Sequence, residues 1–377
     1  MEKLLKPQVD IIIYVFFRTD RKVLDELVIY LQDRVLKKNT QRYMQFTTPV
    51  DLPHGETGIT HKDRIMLVGS CFATNIGRML QERKFRIDIN PFGTQYNPLS
   101  INSVLRRVAK GNVFYEESAE LFGHNGKWHS IMHHSDFSRD SREELLECIN
   151  SRLLHAHTIA DECSVVFITL GTAYAYIRKC DNTVAGNCHK LPAKEFDRRL
   201  LTVDEIIEDF EKTISIYREK NQDTRFIFTV SPIRHLRDGA HDNQKSKATL
   251  LLAIDGIMDR HPECCSYFPA YEIMIDELRD YRFYAEDMLH PSDTAVKYIW
   301  ECFAKCYFGK ETCMINGKIE DINRGLAHRP FDNRSEGYRQ FIGNITAKIE
   351  EIASKHDYLD FEKEIMLCNT LLNRLPE

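Results

Sequence analysis

The sequence predicts an α/β fold, a three-layer α/β/α sandwich around a mostly parallel sheet of five strands. From Arg64 onward, short apolar runs alternate with amphipathic stretches, which is typical of repeated β-α units. Polar residues follow nearly every apolar run, as expected of a parallel sheet that binds ligands at the carboxyl ends of its strands. With 377 residues, of which 43% are hydrophobic and 28% charged, the chain can bury a sizeable core and is too apolar for intrinsic disorder.

The chain is predicted to contain three regions. Residues 1–40 form an N-terminal strand-helix extension, and residues 41–312 hold the α/β domain. Residues 313–377 form a charged, helical C-terminal appendage. The helix of the extension has an apolar face made of Leu24, Leu27, Val28, Leu31 and Val35.

Five apolar runs predict the strands of the sheet. They lie at residues 65–68, 85–89, 164–170, 226–230 and 267–273. Between and after them, apolar residues recur at i, i+3, i+4 and i+7, which predicts helices with one buried face. The longest such series consists of Val203, Ile206, Ile207, Phe210, Ile214 and Tyr217.

Charge and apolar content exclude two classes of partner. Lys plus Arg number 51 and Asp plus Glu number 56, a net charge of −5, so no basic surplus favours nucleic acid. The best apolar run, residues 11–17, is far shorter than the ~18 residues that span a membrane, and no signal cleavage site follows it. The eleven cysteines are irregularly spaced and odd in number, which argues against a disulfide scaffold. We expect a cytoplasmic protein without membrane or nucleic-acid partners.

Cys71 is the best-placed nucleophile in the sequence. It stands at the turn between the first strand and a helix predicted from Asn75 to Glu82. The positive end of a helix is expected to lower the pKa of a thiol there and raise its thiolate fraction. The alternative is a buried small residue that fills the corner between strand and helix. Ser70 is the second candidate nucleophile, with Cys71 then a packing residue.

Asp287 and His290 form a DxxH pattern just before a helix that Ser292 or Asp293 would cap. A carboxylate three residues before an imidazole can fix the tautomer of the ring and leave the other nitrogen free to act as a base. Taken alone, the pattern is a weak signal, because aspartate and histidine before a helix are more often capping and surface residues. Its value comes from combination with a nucleophile.

A series of motifs follows the predicted strands. They are VGSCFATNIG at 68–77, DINPFGTQYNPLSI at 88–101, HHSDFS at 133–138, NCHKLP at 187–192, SPIRHLRDG at 231–239, NQKSKATL at 243–250 and YFPAYEIMIDELRDYRFYAEDMLHPS at 267–292. Over residues 42–310 they resemble the GSCFA domain family, and their order resembles the blocks of the SGNH (GDSL-type) hydrolase superfamily. The resemblance implies a flavodoxin-like sandwich of the SGNH type and hydrolysis or transfer of an acyl ester.

The same resemblance implies roles for individual residues. The nucleophilic serine of the superfamily falls on Cys71, with Ser70 where its aspartate normally stands. The acid-base pair falls on Asp287 and His290, and the oxyanion-hole glycine falls on Gly93. A thiol in place of the serine still permits covalent acyl transfer.

One block of the superfamily pattern is incomplete. The third-block asparagine has no counterpart, and Thr172 with nearby backbone N–H groups offers the closest replacement at the oxyanion. Loss of one oxyanion donor costs about 2.7 to 4 kcal/mol of transition-state stabilisation, so the gap bears directly on activity.

Three clusters are candidates for substrate binding. Arg234 and His235 can bind a carboxylate or phosphate of a substrate, or an Arg-Asp pair can stiffen the loop that turns at Asp238. His134 lies in a loop suited to a pocket wall, or to the solvated surface. His189 lies where the loop can cover the site as a lid, or where it forms an exposed hairpin tip.

No metal or cofactor is expected. The adjacent pairs 188–189 and 133–134 lack the ligand spacing of structural zinc sites, and Cys302 with Cys306 fits two thiols on a buried helix face. The sequence contains no Walker A motif, no GxGxxG motif that opens a helix after a strand, and no GxSxG elbow.

Two functions follow from these observations. The first is an esterase or acyltransferase with a Cys nucleophile and a His-Asp pair, acting on a small-molecule or carbohydrate ester, with an acylated carbohydrate favoured by analogy. The second is a non-catalytic relative that binds an acylated or anionic glycan. The DxxH pattern beside a helix-start thiol favours the first, and the missing asparagine favours the second.

Overall fold

A computed structural model describes residues 47–53, 58–235, 237–330 and 335–373. The strand and helix predicted within residues 1–40 lie outside this part. The chain divides into two units, Met1–Thr48 and Pro49–Glu377, and all elements described below belong to the second. None of the helices in these ranges combines the length and the apolar content that a membrane crossing requires.

The predicted five-stranded parallel sheet is confirmed. The strands in the described residues are β1 Arg64–Gly69, β2 Arg86–Ile89, β3 Leu121–His124, β4 Lys127–Ser130, β5 Val165–Leu170, β6 Tyr174–Arg178, β7 Phe196–Leu200, β8 Arg225–Val230 and β9 Cys265–Tyr267. The central sheet has the order β2-β1-β5-β8-β9, and every neighbouring pair in it is parallel. This is the strand order of flavodoxin-like folds. Two antiparallel hairpins, β3-β4 and β6-β7, stand outside the sheet and were not predicted.

The helices cover both faces of the sheet. They are α1 Cys71–Glu82, α2 Pro98–Lys110, α3 Arg142–Ala160, α4 Val203–Lys220, α5 Gly239–Arg260, α6 Asp293–Tyr307, α7 Lys310–Ala327, α8 Glu336–Lys355 and α9 Glu362–Asn373. Met66 and Val68 of β1 pack in the core formed with α2 to α5, whereas Ile65 and Leu67 pack in the core formed with α1 and α6. Successive side chains of a strand point to opposite faces, so the apolar run of β1 serves two cores at once. The result is a three-layer sandwich.

The fifth predicted strand, residues 267–273, coincides with β9 only at Tyr267 and is wrong beyond it. β9 ends at Tyr267, and the chain then turns into a short helix, Ala270–Glu272, that continues as the π-helix Ile273–Glu277. Pro269 stands directly before this helix, and proline favours a helix start because it has no N–H to leave unpaired. Apolar residues at 270, 273 and 274 then pack on the α1 and α6 face at helical rather than alternating spacing.

The C-terminal helices have a core of their own and also contact the α/β domain. Isoleucines of α7 and α8 form a separate buried cluster with α9. Asn316 of α7 contacts His61 at 3.1 Å, and the Lys84 ammonium pairs with Glu364 of α9 at 2.5 Å. These three helices therefore lie against the side of the domain where α1 ends.

Candidate active site

Cys71 lies at the point of the sheet where ligands are expected to bind. β1 lies between β2 and β5, and the chain runs from β1 outward to β2 before it returns to the other side as β5. In open parallel sheets such a reversal opens a crevice at the carboxyl ends of the strands. Cys71 is the first residue of α1, directly after β1, so its main chain opens the helix at that crevice.

Gly69 makes the turn before Cys71 possible. Its φ is +143°, and a Cβ at this position would lie 2.1 Å from the backbone oxygen of Thr169 in β5. The next residue, Ser70, donates its N–H to the same oxygen at 3.1 Å. A side chain at 69 would push the turn away from β5, so glycine is required for the position of Cys71.

Ser70 caps α1 and is not oriented as a second free nucleophile. Its Oγ accepts the N–H of Phe72 at 3.3 Å and donates to the Oγ of Ser231 at 3.1 Å. The side chain is buried, with 1% of its surface exposed. The first bond caps the helix, and the second joins the carboxyl ends of β1 and β8.

The expected lowering of the Cys71 pKa is wrong. Burial raises the pKa of this thiol, and the backbone N–H groups of Cys71 and Phe72 together with the charge of Lys247 only partly oppose the rise. Desolvation penalises a thiolate more than the helix start favours it here. Cys71 is therefore a thiol in the resting site, and a reaction that needs the thiolate also needs a proton acceptor close by.

Lys247 is a residue of the site that sequence reasoning missed. Its side chain has no exposed surface, and its ammonium nitrogen donates to the backbone oxygens of Gly171 and Ser231, each at 2.9 Å. Gly171 and Ser231 directly follow β5 and β8, so Lys247 of α5 reaches the same edge of the sheet as Cys71. Burial, followed by the charge of Arg234, lowers the pKa of Lys247 to about 7, while Cys71 acts in the opposite direction.

A signal for Lys247 was present in the sequence. The buried face of α5 consists of Asn243, Ser246, Lys247, Leu250, Ala253, Ile254 and Ile257. These positions follow helical spacing, so a lysine in the series falls on the side that packs against the sheet. A lysine is almost never fully buried unless its charged end is paired, so a lysine on this face indicates a special environment.

The structure brings Asp287 and His290 together as predicted from their spacing. His290 Nδ1 lies 2.5 Å from Asp287 Oδ2, and Asp287 Oδ1 accepts the backbone N–H groups of Leu289 and His290 at 2.9 Å each. The backbone N–H of His290, then its ring, lowers the pKa of Asp287 to about 2. Ser292 caps the following helix α6 through its Oγ. Asp287 is thus an ionised partner for the ring, on an exposed loop.

A proton path from Cys71 to His290 is not formed directly. In the described residues no hydrogen bond joins the Cys71 thiol to an imidazole, and the charged group that acts on this thiol is Lys247. Arg234 links the two parts of the site, because its charge acts on both Lys247 and Tyr284. The backbone of Tyr284 forms an isolated antiparallel β-bridge with Pro291, the residue after His290.

The predicted oxyanion donors are already engaged. The N–H of Gly93 donates to the oxygen of Asn90 at 2.8 Å, and that of Thr172 donates to the oxygen of Tyr96 at 2.9 Å. The Thr172 hydroxyl lies 3.0 Å from the Oγ of Ser246. By contrast, the N–H of Cys71 is at the first position of α1, where a helix supplies no acceptor.

Gly93 and His134 are in direct contact. Gly93 has a φ of +78°, and a Cβ there would lie 2.3 Å from the Cβ of His134. The N–H of His134 donates to the oxygen of Phe92 at 2.8 Å, and its ring lies 3.1 Å from the exposed carboxylate of Asp136. The loop that carries His134 therefore packs on the turn after β2, at the carboxyl edge of the sheet.

The alternative considered for Arg234, an Arg-Asp pair that stiffens the loop, is not formed by Arg234 in the described residues. Arg234 donates to Gln244 at 2.6 Å, and Tyr271 donates to the same oxygen at 3.3 Å. Asp238 pairs instead with Arg198, and His235 lies 3.8 Å from it. The guanidinium of Arg234 is held by a neutral amide rather than a carboxylate, which leaves its positive charge uncompensated at that contact.

His189 is buried and is not an exposed hairpin tip. Its Nε2 lies 2.8 Å from the backbone oxygen of Ser130, and its side chain packs near His129, with ring centroids 4.6 Å apart. Burial lowers its pKa to about 4. His189 anchors the loop after β6 to the β3-β4 hairpin.

One group of side chains in the described residues has the arrangement of metal ligands. His261, Glu263 and Cys264 bring one ligand atom each within 4.8 Å of one another. The group precedes β9 and so lies at the amino edge of the sheet, opposite to Cys71. The Arg218 guanidinium contacts Glu263 at 2.8 Å, a cation already paired with one of the three.

Comparison with known families gives two matches. A family model described as GSCFA family matches residues 64–303, and one described as GSCFA domain protein, C-terminal domain, matches residues 319–374. The first covers the α/β sandwich from β1 into α6 and every residue of the site, and the second covers the second half of α7 with α8 and α9. A comparison with curated proteins finds no match.

Proposed function

The chain belongs to the GSCFA family, and we propose that it is an acyl-ester hydrolase or acyltransferase that forms a thioester on Cys71. The observation that carries this proposal is the position of Cys71, at the first residue of a helix that starts where the parallel sheet reverses its strand order. A nucleophile there lies where the strand order predicts a crevice, and the N–H of Cys71 itself has no acceptor within the helix.

The reaction has two halves. In the first, the Cys71 sulfur bonds to the carbonyl carbon of the ester and the bond from that carbon to the alcohol oxygen breaks. The thiol proton passes to a base of the site, and the alcohol oxygen gains a proton from His290, which in this scheme enters the cycle with a proton on Nε2 as well as on Nδ1. In the second, water or an acceptor hydroxyl attacks the thioester carbon and gives its proton to His290, while the sulfur leaves and regains its proton. The net result is hydrolysis or acyl transfer.

The remaining groups fit this chemistry. Asp287 has a pKa of about 2, so its carboxylate is ionised at neutral pH. It accepts a hydrogen bond from Nδ1 of His290, which leaves Nε2 for the substrate. The N–H of Cys71 supplies one donor to the tetrahedral oxyanion. Gly93 and Thr172 become further donors when a substrate draws their N–H groups from the present acceptors.

We propose an acylated carbohydrate as the substrate class and the cytoplasm as the location. The loops that surround the crevice carry Arg234, His235 and His134, polar groups suited to hydroxyls and to an anionic substituent. The likeness in block order to SGNH hydrolases supports an ester of a sugar hydroxyl by analogy.

The test is turnover of a panel of acetylated sugars and short-chain aryl esters, together with mass spectrometry of the quenched protein. We expect hydrolysis or transfer, and an acyl adduct on the peptide that contains Cys71. Cys71→Ala should lower the rate by about 10³-fold or more. Cys180→Ala, which removes an exposed thiol, is the matched control and should retain full activity. Retention of activity by Cys71→Ala with loss in Ser70→Ala would transfer the nucleophile to Ser70.

A second candidate function is non-catalytic binding of an acylated or anionic glycan. Two observations favour it: the N–H groups of Gly93 and Thr172 are occupied, and the Cys71 pKa is raised by burial. Calorimetry with the same acetylated sugars separates the two functions. Saturable binding that Arg234→Ala abolishes, without turnover of any ester in the panel, would establish the binding protein.

A further inference from the structure

We propose that Lys247 is the proton acceptor of the Cys71 thiol, so that the two residues form a Cys-Lys dyad inside the site. The inference rests on the proposed function in one respect, since it names the base that the first half of the reaction requires. It stands apart in another, because the ionisation of Cys71 can be measured without any ester.

The placement of the two residues follows from a short chain of contacts. Ser70, next to Cys71, donates its Oγ to the Oγ of Ser231 at 3.1 Å. The backbone oxygen of the same Ser231 accepts the Lys247 nitrogen at 2.9 Å. The ends of β1 and β8 thus bring Cys71 and Lys247 to the same corner, and each acts electrostatically on the other.

The hydrogen bonds of Lys247 fit a neutral amine. An amine has two N–H groups and a lone pair, whereas an ammonium has three N–H groups and no lone pair. Lys247 makes two hydrogen bonds in the described residues, to the oxygens of Gly171 and Ser231. As an amine it is fully satisfied and keeps one lone pair to accept a proton. As an ammonium it has one N–H left over in a buried place, which costs free energy.

The charges around Lys247 act in both directions. Arg234 in the loop after β8 favours the amine, and His235 lies in the same loop. Cys71 on α1 and the ring of Tyr271, whose centre lies 5.5 Å from the nitrogen, favour the ammonium. Within the described ranges no carboxylate forms an ion pair with Lys247. The pKa of Lys247 is lowered to about 7 by burial, then by Arg234, and burial raises the pKa of Cys71.

Above about pH 7 the pair therefore rests as a neutral thiol and a neutral amine. Transfer of one proton from sulfur to the Lys247 nitrogen creates a thiolate beside an ammonium, and their attraction offsets part of the desolvation of each. In acylation Lys247 gains the thiol proton while His290 gives a proton to the departing alcohol oxygen. In deacylation His290 recovers a proton from water or the acceptor, and Lys247 returns its proton to the sulfur. No proton has to travel between Lys247 and His290.

The division of labour also explains the exposure of the loop that Tyr284 and Pro291 close by an antiparallel bridge, which carries both residues and is called the Asp287–His290 hairpin. The side chains of Asp287 and His290 are 46% and 51% exposed, a place where substrate oxygen and water arrive. Lys247 has no exposed surface and serves only the sulfur. A buried base protects the thiolate from solvent protons, and an exposed one serves the groups that enter and leave.

The test follows the alkylation of Cys71 by iodoacetamide from pH 5.5 to 10, read by mass spectrometry, with Cys180 in the same molecule as the reference thiol. In the unaltered protein we expect a rise in the Cys71 rate through about pH 7, where Lys247 becomes able to accept the proton, followed by a second rise above pH 9. A single rise above pH 9 would overturn the dyad without the need for any variant.

Two variants separate a base from a charge. Lys247→Met has neither, and Lys247→Arg keeps the positive charge but cannot accept a proton. We expect both to lose the rise near pH 7 and to lower the Cys71 rate at pH 7.5 by at least about tenfold relative to Cys180. Full reactivity in Lys247→Arg would assign Lys247 a purely electrostatic role and refute the proton transfer. Thermal unfolding of each variant checks that it is folded.

The outcomes keep this inference and the proposed function apart. A Lys247-dependent rise near pH 7 with no turnover of any ester would support the dyad and refute the esterase. Ester turnover that depends on Cys71 but is unchanged in Lys247→Met and Lys247→Arg would support the esterase and refute the dyad.

Discussion

The Cys71 corner, made of Gly69, Ser70, Cys71 and Lys247, and the Asp287–His290 hairpin achieve their arrangement by opposite means. In the corner, Ser70 and Lys247 are buried, and the pKa values of Cys71 and Lys247 move because burial penalises charge. In the hairpin both side chains are about half exposed, and the pKa of Asp287 moves because N–H groups bond to it. Burial ties the chemistry of the corner to its packing, whereas the hairpin can be altered locally.

Among the substitutions in the two regions, the largest effect on stability is expected for Gly69→Ala, which adds one methyl group. Gly69→Ala places a Cβ 2.1 Å from the Thr169 oxygen at a φ of +143°. We expect a loss of about 2 to 5 kcal/mol in the free energy of unfolding, from backbone strain and overpacking together. Urea denaturation measures it.

Gly317→Ala is the matched control for this change. Gly317 lies within α7, and a Cβ there would have nothing within 4 Å. Alanine in a helix interior should stabilise the protein by about 0.5 to 1 kcal/mol relative to glycine. If both substitutions changed the free energy of unfolding equally, the Cys71 corner would tolerate rearrangement and would not depend on its packing.

A middle-sized effect is expected in the pH dependence of stability. Lys247 has its ordinary pKa of 10.5 when unfolded and about 7 when folded, so between these values the unfolded chain binds one more proton. The free energy of unfolding then rises with pH through this window, by up to about 1.4 kcal/mol per pH unit from this group. Lys247→Met removes that slope, and the variant gains most over the unaltered protein at the low end of the window.

Denaturation by urea at pH 7.5, 8.5 and 9.5 tests this pH dependence in both proteins. The other groups that titrate here are common to both, so the difference of the two slopes isolates Lys247 and its partner Cys71. Parallel slopes would show that Lys247 is charged in the folded protein, as an exposed lysine would be.

The sequence predicted the sheet better than the segments around it. The sheet was predictable because each strand is a short apolar run that two cores share, and four of five runs lie where expected. The fifth run failed at Pro269, because apolar content alone does not separate a strand from a buried helical turn. The hairpins β3-β4 and β6-β7 have mixed polar strands and lack a clear period.

In the candidate site, spacing predicted local contacts but not burial. Asp287 and His290 are three residues apart, and their contact follows from the chain itself. The raised pKa of Cys71 and the contacts of Lys247 depend on strands distant in sequence, so only the folded chain determines them. The position of a lysine on the apolar face of α5 was the one trace of this environment in the sequence.

The smallest effect is expected in the hairpin, where removal of a whole ring should leave the fold intact. His290→Ala deletes the ring but keeps the backbone N–H of residue 290, which is the first cause of the low Asp287 pKa. We therefore expect the pKa of Asp287 to rise from about 2 only part of the way to its ordinary 3.8, as measured by carbon-13 NMR of the carboxyl group. The lowered pKa of Asp287 stabilises the folded state above pH 3.8, and this stabilisation is lost as the pH falls from 3.8 through about 2. In His290→Ala the loss is expected over a narrower pH range, because the pKa of Asp287 is closer to 3.8. The urea midpoint at neutral pH should not change, because exposed ion pairs contribute little to stability.

The control is His241→Ala, at another exposed histidine, which should leave the Asp287 titration as it is. A full return of Asp287 to 3.8, or a large fall of the urea midpoint, would mean that the ring organises the loop, and the hairpin would then resemble the Cys71 corner in being held by its tertiary contacts.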